Sequence, residues 1–89
     1  MLNVDLSISV QTTEQIILGY NPARKYALFV NDGLFSIYLG IGKPAQVSRG
    51  PRLNANGGSY EINATNPITN EIHAIADAGA SVLTVTELS

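Results

Sequence analysis

The sequence of 89 residues contains no cysteine and only one histidine, His73. Without cysteine the chain has no disulfide to stabilise a small core and no thiolate to bind a metal. Cys–His catalysis and most zinc sites are therefore excluded. His73 lies in the alternating segment EIHAI, on the opposite face from Ile72, and is predicted to be an ordinary surface or subunit-contact residue.

Charge is also scarce. Charged residues make up 13% of the chain, and the formal net charge is -2. A chain with this balance exerts no overall attraction on nucleic acid or on an anionic membrane surface, so neither is expected as a partner. An average soluble domain carries about 25% charged residues. We therefore expect part of this weakly charged surface to be covered by another subunit or by a partner protein.

The chain lacks long apolar runs. None approaches the roughly 20 residues that a membrane-spanning helix requires. The first ten residues, MLNVDLSISV, alternate apolar and polar side chains and have neither the basic nor the continuous apolar region of a signal peptide. The sequence therefore predicts synthesis in the cytoplasm of the expressing cell.

Groups that carry chemistry are few and scattered. The seven acidic residues are isolated in sequence, and the serines lack the G-x-S-x-G setting of a nucleophile. The segment GIGKPAQVSRG resembles a phosphate loop only superficially, because it lacks the required Lys-Ser/Thr pair and a following helix. We expect no enzymatic activity, no bound cofactor and no metal.

The chain instead shows a dominant alternation of apolar and polar residues with a period of two. This pattern predicts about seven short strands separated by turns and almost no helix. The expected fold is all-β, either a small antiparallel β-sandwich or a jelly-roll-like barrel. A short loop that ends in Asp32-Gly33 separates two β-rich segments, RKYALFV and LFSIYLGI, and predicts a hairpin between them.

The domain organisation is simple. Residues 14–89 are predicted to form one β-sandwich domain, and residues 1–13 an N-terminal strand or arm. The arm alternates strongly and lies at the end of the chain, which suggests pairing with a neighbouring subunit instead of its own sheet. Its apolar side chains Leu2, Val4 and Leu6 are the predicted contact residues.

Positive charge is concentrated in one segment. Lys43, Arg49 and Arg52 are three of the five cationic residues and lie within ten residues of each other. They are predicted either to bind carboxylates of a partner protein or simply to keep a solvated loop soluble. Arg24 follows the turn YNPA at the start of a strand and is predicted to donate hydrogen bonds to turn carbonyls.

Four segments together resemble a known class of protein. They are NPARKYALFVND, FSIYLGIG, RLNANGGSYEIN and EIHAIADAGASVLTVTEL, and they cover roughly residues 19–88. Their order and their turn and strand motifs resemble small all-β virion proteins of tailed bacteriophages. These are head decoration proteins, also called cement proteins, and related head-fibre modules.

The resemblance implies a structural protein on the outer capsid surface of the virion, where it stabilises contacts between capsomers. It also implies a homotrimer whose partner is the major capsid protein. Under this hypothesis Lys43, Arg49 and Arg52 face acidic capsid surface. The alternative is a receptor- or carbohydrate-binding module associated with a fibre or spike, which would present exposed aromatic residues on its loops. Among the loop aromatics only Tyr20 fits that description. Tyr60, which follows the Gly57-Gly58 turn, is predicted to be a packing or subunit-contact residue.

Overall fold

The computed structural model describes residues 3–89 and shows eight β-strands and no helix in that part of the chain. Leu2, a predicted contact residue, lies outside the described residues. The strands are β1 (Asn3–Val10), β2 (Gln15–Leu18), β3 (Tyr26–Asn31), β4 (Ile37–Ile41), β5 (Arg52–Leu53), β6 (Ser59–Ile62), β7 (Ile72–Ala76) and β8 (Ser81–Leu88). The predicted all-β class is confirmed.

The strands form two four-stranded antiparallel sheets. The first sheet has the order β1-β8-β3-β6, and the second has the order β2-β7-β4-β5. Four of the pairs run inward from the two ends of the chain: β1 pairs with β8, β2 with β7, β3 with β6 and β4 with β5. This is the strand order of a jelly roll, in which a long antiparallel hairpin is rolled into two facing sheets.

The core lies between the two sheets and follows the alternation of the strands. In β3 the side chains of Ala27, Phe29 and Asn31 are buried, while the residues between them are only partly buried. Ile37 and Leu39 of β4 face the same core from the second sheet. Burying each large apolar side chain contributes about 1.5–3 kcal/mol. The predicted packing role of Tyr60 is confirmed, because its ring lies against the core at 6.5 Å from the ring of Phe29.

The predicted hairpin at Asp32-Gly33 is wrong. β3 belongs to the first sheet and β4 to the second, so the segment between them crosses from one sheet to the other. The buried side chain of Asn31 holds this crossing. Its amide donates to the carbonyls of Phe35 (2.7 Å) and Leu53 (2.9 Å), and its oxygen accepts from the backbone N–H of Gly33 (3.0 Å) and the hydroxyl of Ser81 (2.8 Å).

Candidate docking surface

The segment of residues 42–51, named here the basic loop, lies on the outer face of the second sheet and is fixed at both ends. At its start the N–H of Gly42 donates to the carbonyl of Glu71 at 2.8 Å, and at its end the carbonyl of Pro51 accepts from Leu39 at 3.0 Å. Within the loop the N–H of Arg49 donates to the carbonyl of Gln46 at 3.1 Å. The loop is thus an ordered part of the fold.

Two glycines allow this loop to lie close to the sheet. A Cβ atom on Gly40 of β4 would collide with the backbone of Lys43 and would lie 2.7 Å from the backbone nitrogen of Ala45. A Cβ atom on Gly50 would collide with the carbonyl of Leu39, and Gly50 also has a positive φ of 74°. The close approach of loop and strand therefore requires glycine at both positions.

Glu14 connects the basic loop to the sheet beneath it. One oxygen of its carboxylate accepts a hydrogen bond from the backbone N–H of Ala45 at 3.2 Å and also contacts Nδ1 of His73. His73 is buried, so the prediction of a surface or subunit-contact histidine is wrong. The alternation of the strand correctly placed His73 on the opposite face from Ile72. It did not predict that Glu14 would hold the basic loop beside His73 on that face.

Lys43 and Arg49 line a single cleft of about 220 Å³ on this loop. The remaining lining comes from the backbone and neighbouring side chains at Leu39, Gly40, Pro44, Gln46 and Gly50. Both cationic residues are exposed, and within residues 3–89 neither forms an ion pair with an acidic side chain. Two positive charges therefore face solvent from the walls of one ordered cleft.

Arg52, the third predicted cationic contact, is not part of this cleft. It lies on β5 with its guanidinium carbon 5.9 Å from the ring centroid of Tyr38, and Nη2 lies 3.4 Å from the hydroxyl of Ser36. A guanidinium stacked over a tyrosine ring gains a cation–π interaction. The three cationic residues that are close in sequence are therefore not together in the structure. Lys43 and Arg49 share the cleft, and Arg52 contacts Tyr38 and Ser36 instead.

Arg24 behaves as predicted and has an additional partner. Its guanidinium is fully buried and donates to the carbonyls of Gly19 (2.8 Å), Ile68 (3.3 Å) and Asn70 (2.8 Å). It also forms a 2.7 Å ion pair with Glu87 of β8. All of these groups belong to the same chain, so Arg24 stabilises the fold and offers nothing to a ligand.

β1 provides a second exposed surface. It pairs with β8 of its own chain over all eight residues, and its pairing with a neighbouring subunit instead stays a prediction. The predicted contact residues Val4 and Leu6 are 40% and 37% exposed. They point toward the same side of the first sheet as buried Val10, but the second sheet does not cover them.

Within residues 3–89 no group of three or more metal-ligating side chains lies together, and no helix suited to crossing a membrane is found there. The pKa shifts that stand out belong to an exposed pair. The hydroxyl of Tyr26 donates to Glu61 at 2.7 Å, which raises the pKa of Tyr26 and lowers that of Glu61. This pair bridges the neighbouring strands β3 and β6.

Sequence reasoning missed Glu14, which holds the basic loop, and Asn31, which holds the crossing between the sheets. A buried asparagine was signalled only by its position in the alternation of β3, on the same face as Ala27 and Phe29. Nothing in the sequence near Glu14 indicated a partner 59 residues away. Comparison of the chain with protein-family models, with curated proteins and with solved structures found no match.

Proposed function

We propose that this chain is a structural virion protein, a decoration or cement protein that binds the outer surface of a phage head and holds neighbouring capsomers together. Its partner is the major capsid protein, and it acts as a homotrimer. The observation that supports this best is the ordered cleft with Lys43 and Arg49 on its walls. The proposal also rests on the resemblance of its strand and turn motifs to such proteins.

The cleft has the chemistry of a docking site for acidic side chains. Lys43 and Arg49 have no acidic partner among residues 3–89, so a carboxylate from another protein would be their first ion-pair partner. The hydrogen bonds of residues 42 and 51 to the sheet order the loop before binding, which lowers the entropy lost on docking. A net charge of -2 favours a local acidic patch over a polyanion such as nucleic acid.

A trimer strengthens weak contacts of this kind. An exposed ion pair contributes only about 0.2–1 kcal/mol by itself. Three copies docked on one assembly raise the overall affinity through effective concentration, without any single strong contact. Any protein that binds only the assembled, folded capsid also stabilises that capsid by mass action. Docking through modest contacts is therefore sufficient for a cement function.

The test uses heads of the phage that encodes this chain, assembled without it. Purified chain is added, the heads are sedimented, and bound chain is measured across a concentration series. We expect saturable binding, and we expect Lys43→Ala combined with Arg49→Ala to raise the apparent dissociation constant roughly tenfold or more, because each copy loses two ion pairs.

Matched controls are Arg52→Ala and Lys25→Ala, which remove one positive charge each outside the cleft. Both are expected to bind heads nearly as well as the wild type. Full binding by the double variant would remove the cleft from the mechanism. No binding of the wild-type chain to heads, with the chain folded, would contradict the proposed function itself.

The alternative of a carbohydrate-binding module is supported by two exposed loop aromatics, Tyr20, which is 67% exposed, and Phe35 between β3 and β4, which is 38% exposed. Aromatic rings stack on sugar faces, and jelly rolls also occur in lectin domains. Fold alone does not decide between these functions. Saturable binding on a glycan array that is lost in Tyr20→Ala would favour this alternative over the capsid role.

A further inference from the structure

The outer edge of β1 differs from the other three sheet edges of the molecule. β5 has only two residues, β6 has four and carries the charged Glu61, and β2 has an irregular register between Ile16 and Leu18. β1 pairs with β8 without interruption over eight residues and contains no proline, lysine or arginine. Its one charged residue, Asp5, accepts a hydrogen bond from the hydroxyl of Thr86 on β8. Natural sheet edges are usually blocked by short strands, lysine, proline or irregular register, and this edge has none of these.

The face that accompanies this edge is apolar. Val4, Leu6 and Ile8 share one face of β1. On β8 the buried residues Val85 and Leu83 lie opposite Leu6 and Ile8, and Glu87 lies opposite Val4. Val4 and Leu6 nevertheless stay more than a third exposed. The outer part of β1 thus combines unpaired backbone groups with exposed apolar side chains, which is the surface another β-strand covers best.

We propose that the β1 strands of two copies of this chain pair antiparallel across a two-fold axis, with Leu6 opposite Leu6 of the other copy. Each β1 stays in its own sheet, and the two first sheets join into one sheet of eight strands. The contact is isologous, because the same strand is used on both sides. The pairing does not rest on the proposed capsid function.

Hydrogen bonding restricts the register of this pair. Along an edge strand every second residue turns its N–H and C=O outward, and in an antiparallel pair outward residues face outward residues. When the two strands are identical, even-numbered residues must therefore face even-numbered residues. The side chains of opposite residues lie on the same face, so the apolar residues Val4, Leu6 and Ile8 meet only one another.

Charge and the course of the chain select one register among those allowed. Centring the pair on Asp5 would place two carboxylates directly opposite each other, which is unfavourable. Centring it on Ser7 would place Val4 opposite Val10. The chain leaves the sheet at Val10, and the carbonyl of the next residue, Gln11, already accepts a hydrogen bond from Ala76 of the second sheet. Centring it on Leu6 places Val4 opposite Ile8 and Asp5 opposite Ser7.

A two-fold pair and a trimer are different contacts. A contact that closes with two copies leaves no free β1 edge for a third, so it is separate from any contact that builds a trimer. β1 has one charged residue, Asp5, and in this register Asp5 lies opposite Ser7. A second copy of β1 therefore brings no like charge opposite Asp5, and it is a better partner than a highly charged strand of another protein. This pairing differs from the predicted arm, which would pair with a neighbouring subunit instead of its own sheet, but Val4 and Leu6 contact another copy in both.

The test exploits the absence of cysteine from the chain. Leu6→Cys places two thiols opposite each other at the two-fold axis, within the Cα separation of about 4.5–5.5 Å that suits a disulfide. Ile16→Cys is the matched control, since Ile16 is also an exposed apolar residue on an edge strand, but in the second sheet. Under mild oxidation Leu6→Cys is expected to form covalent dimers at least tenfold faster than Ile16→Cys. Equal rates would overturn the proposal.

Sedimentation equilibrium supplies a second measurement. Leu6→Lys places two positive charges opposite each other and is expected to raise the dissociation constant of the pair at least tenfold. Leu6→Thr keeps a β-forming side chain without charge and should weaken the pair less. A wild-type chain without two-fold association at high micromolar concentration, or a Leu6→Lys chain that associates equally well, would overturn the proposal. If Leu6→Lys does not fold, the cross-linking rates and Leu6→Thr decide.

Discussion

At the scale of single residues, two buried polar side chains hold the ends of the sandwich together. Asn31 connects the segment after β3 to Leu53 of β5 and to Ser81 at the start of β8. Arg24 connects the turn before β3 to Glu87 near the end of β8 and to three carbonyls. Each side chain forms hydrogen bonds with backbone groups of segments that are distant in sequence. The connections between the two sheets are therefore possible without leaving buried backbone groups unpaired.

Asn31→Ala is expected to lower the free energy of unfolding by roughly 2–4 kcal/mol, because it leaves buried donors and acceptors without partners. Chemical denaturation measures this change. Asn54→Ala is the control, since Asn54 is exposed in a turn, and it is expected to change stability by less than about 0.5 kcal/mol. Equal stability of the two variants would show that the hydrogen bonds of Asn31 do not hold the crossing.

The pair of Tyr26 and Glu61 predicts a pH dependence. Glu61 accepts hydrogen bonds from the hydroxyl of Tyr26 and the amide of Asn63, which lower its pKa from the ordinary value of 4.5. The carboxylate therefore stabilises the fold above that value, and this contribution is lost as the pH falls through the lower pKa of the folded chain. The raised pKa of Tyr26 gives a contribution that is present below its ordinary value of 10.0 and lost at more alkaline pH.

Tyr26→Phe removes this hydrogen bond. At neutral pH its melting temperature is expected to lie slightly below that of the wild type, and the difference should shrink as the pH is lowered through the acid range. Tyr20→Phe, which alters an exposed tyrosine, is the control and should differ from the wild type at no pH. A difference for Tyr26→Phe that stays constant down to strongly acid pH would contradict the link to Glu61.

At the scale of elements, the proposed docking surface depends on how closely the basic loop lies on β4. Gly40→Ala would drive a methyl group into the backbone of Lys43 and Ala45. We expect a loss of about 1–3 kcal/mol in stability, as for other overpacked sites, and weaker binding to heads, because Lys43 shifts with the loop. Both are measured on the same variant, by denaturation and by sedimentation with heads.

Gly19→Ala is the matched control for this prediction. A Cβ atom on Gly19 meets no other heavy atom within 4 Å, so its stability should change by less than about 1 kcal/mol and its binding to heads should not change. If Gly40→Ala binds heads as well as Gly19→Ala, the position of the loop is not important for docking.

The strands themselves were predictable because the alternation of apolar and polar residues is a local signal. The alternating segment EIHAIADAGASVLTVTEL, for example, contains β7 (Ile72–Ala76) and β8 (Ser81–Leu88). The sheet to which each strand belongs was not predictable in this way. Asp32-Gly33 carries the local signal of a hairpin, yet β3 pairs with β6 and β8, and the hydrogen bonds of Asn31 that direct the crossing reach as far as Ser81.

The proposed docking surface was predictable only where its residues are close in sequence and lie in one loop. Lys43 and Arg49 belong to one loop, and the structure brings them to one cleft. Arg52 is close to them in sequence but lies on β5, where its neighbour is Tyr38 of the adjacent strand. The burial of His73 depends on a loop and on Glu14, and both come from other parts of the chain. Contacts such as Arg52 with Tyr38 and His73 with Glu14 join residues that are distant in sequence, so no local sequence pattern indicates them.

At the scale of the whole molecule, the two exposed surfaces belong to different sheets. The basic loop lies on the outer face of the second sheet, and the free edge of β1 is at the border of the first. In a body with extents of 35 × 22 × 19 Å, one copy can therefore contact a large assembly and a second copy at the same time. Such an arrangement suits a small protein that joins larger ones and gains stability from them.

We propose that this chain stabilises a phage head by binding to it. The most direct measurement is the temperature at which heads assembled without the chain lose their integrity, recorded by light scattering with and without saturating purified chain. We expect a higher temperature with the wild-type chain, and a smaller increase with the chain that lacks Lys43 and Arg49. An unchanged temperature at a concentration at which the chain demonstrably coats the heads would contradict the cement function.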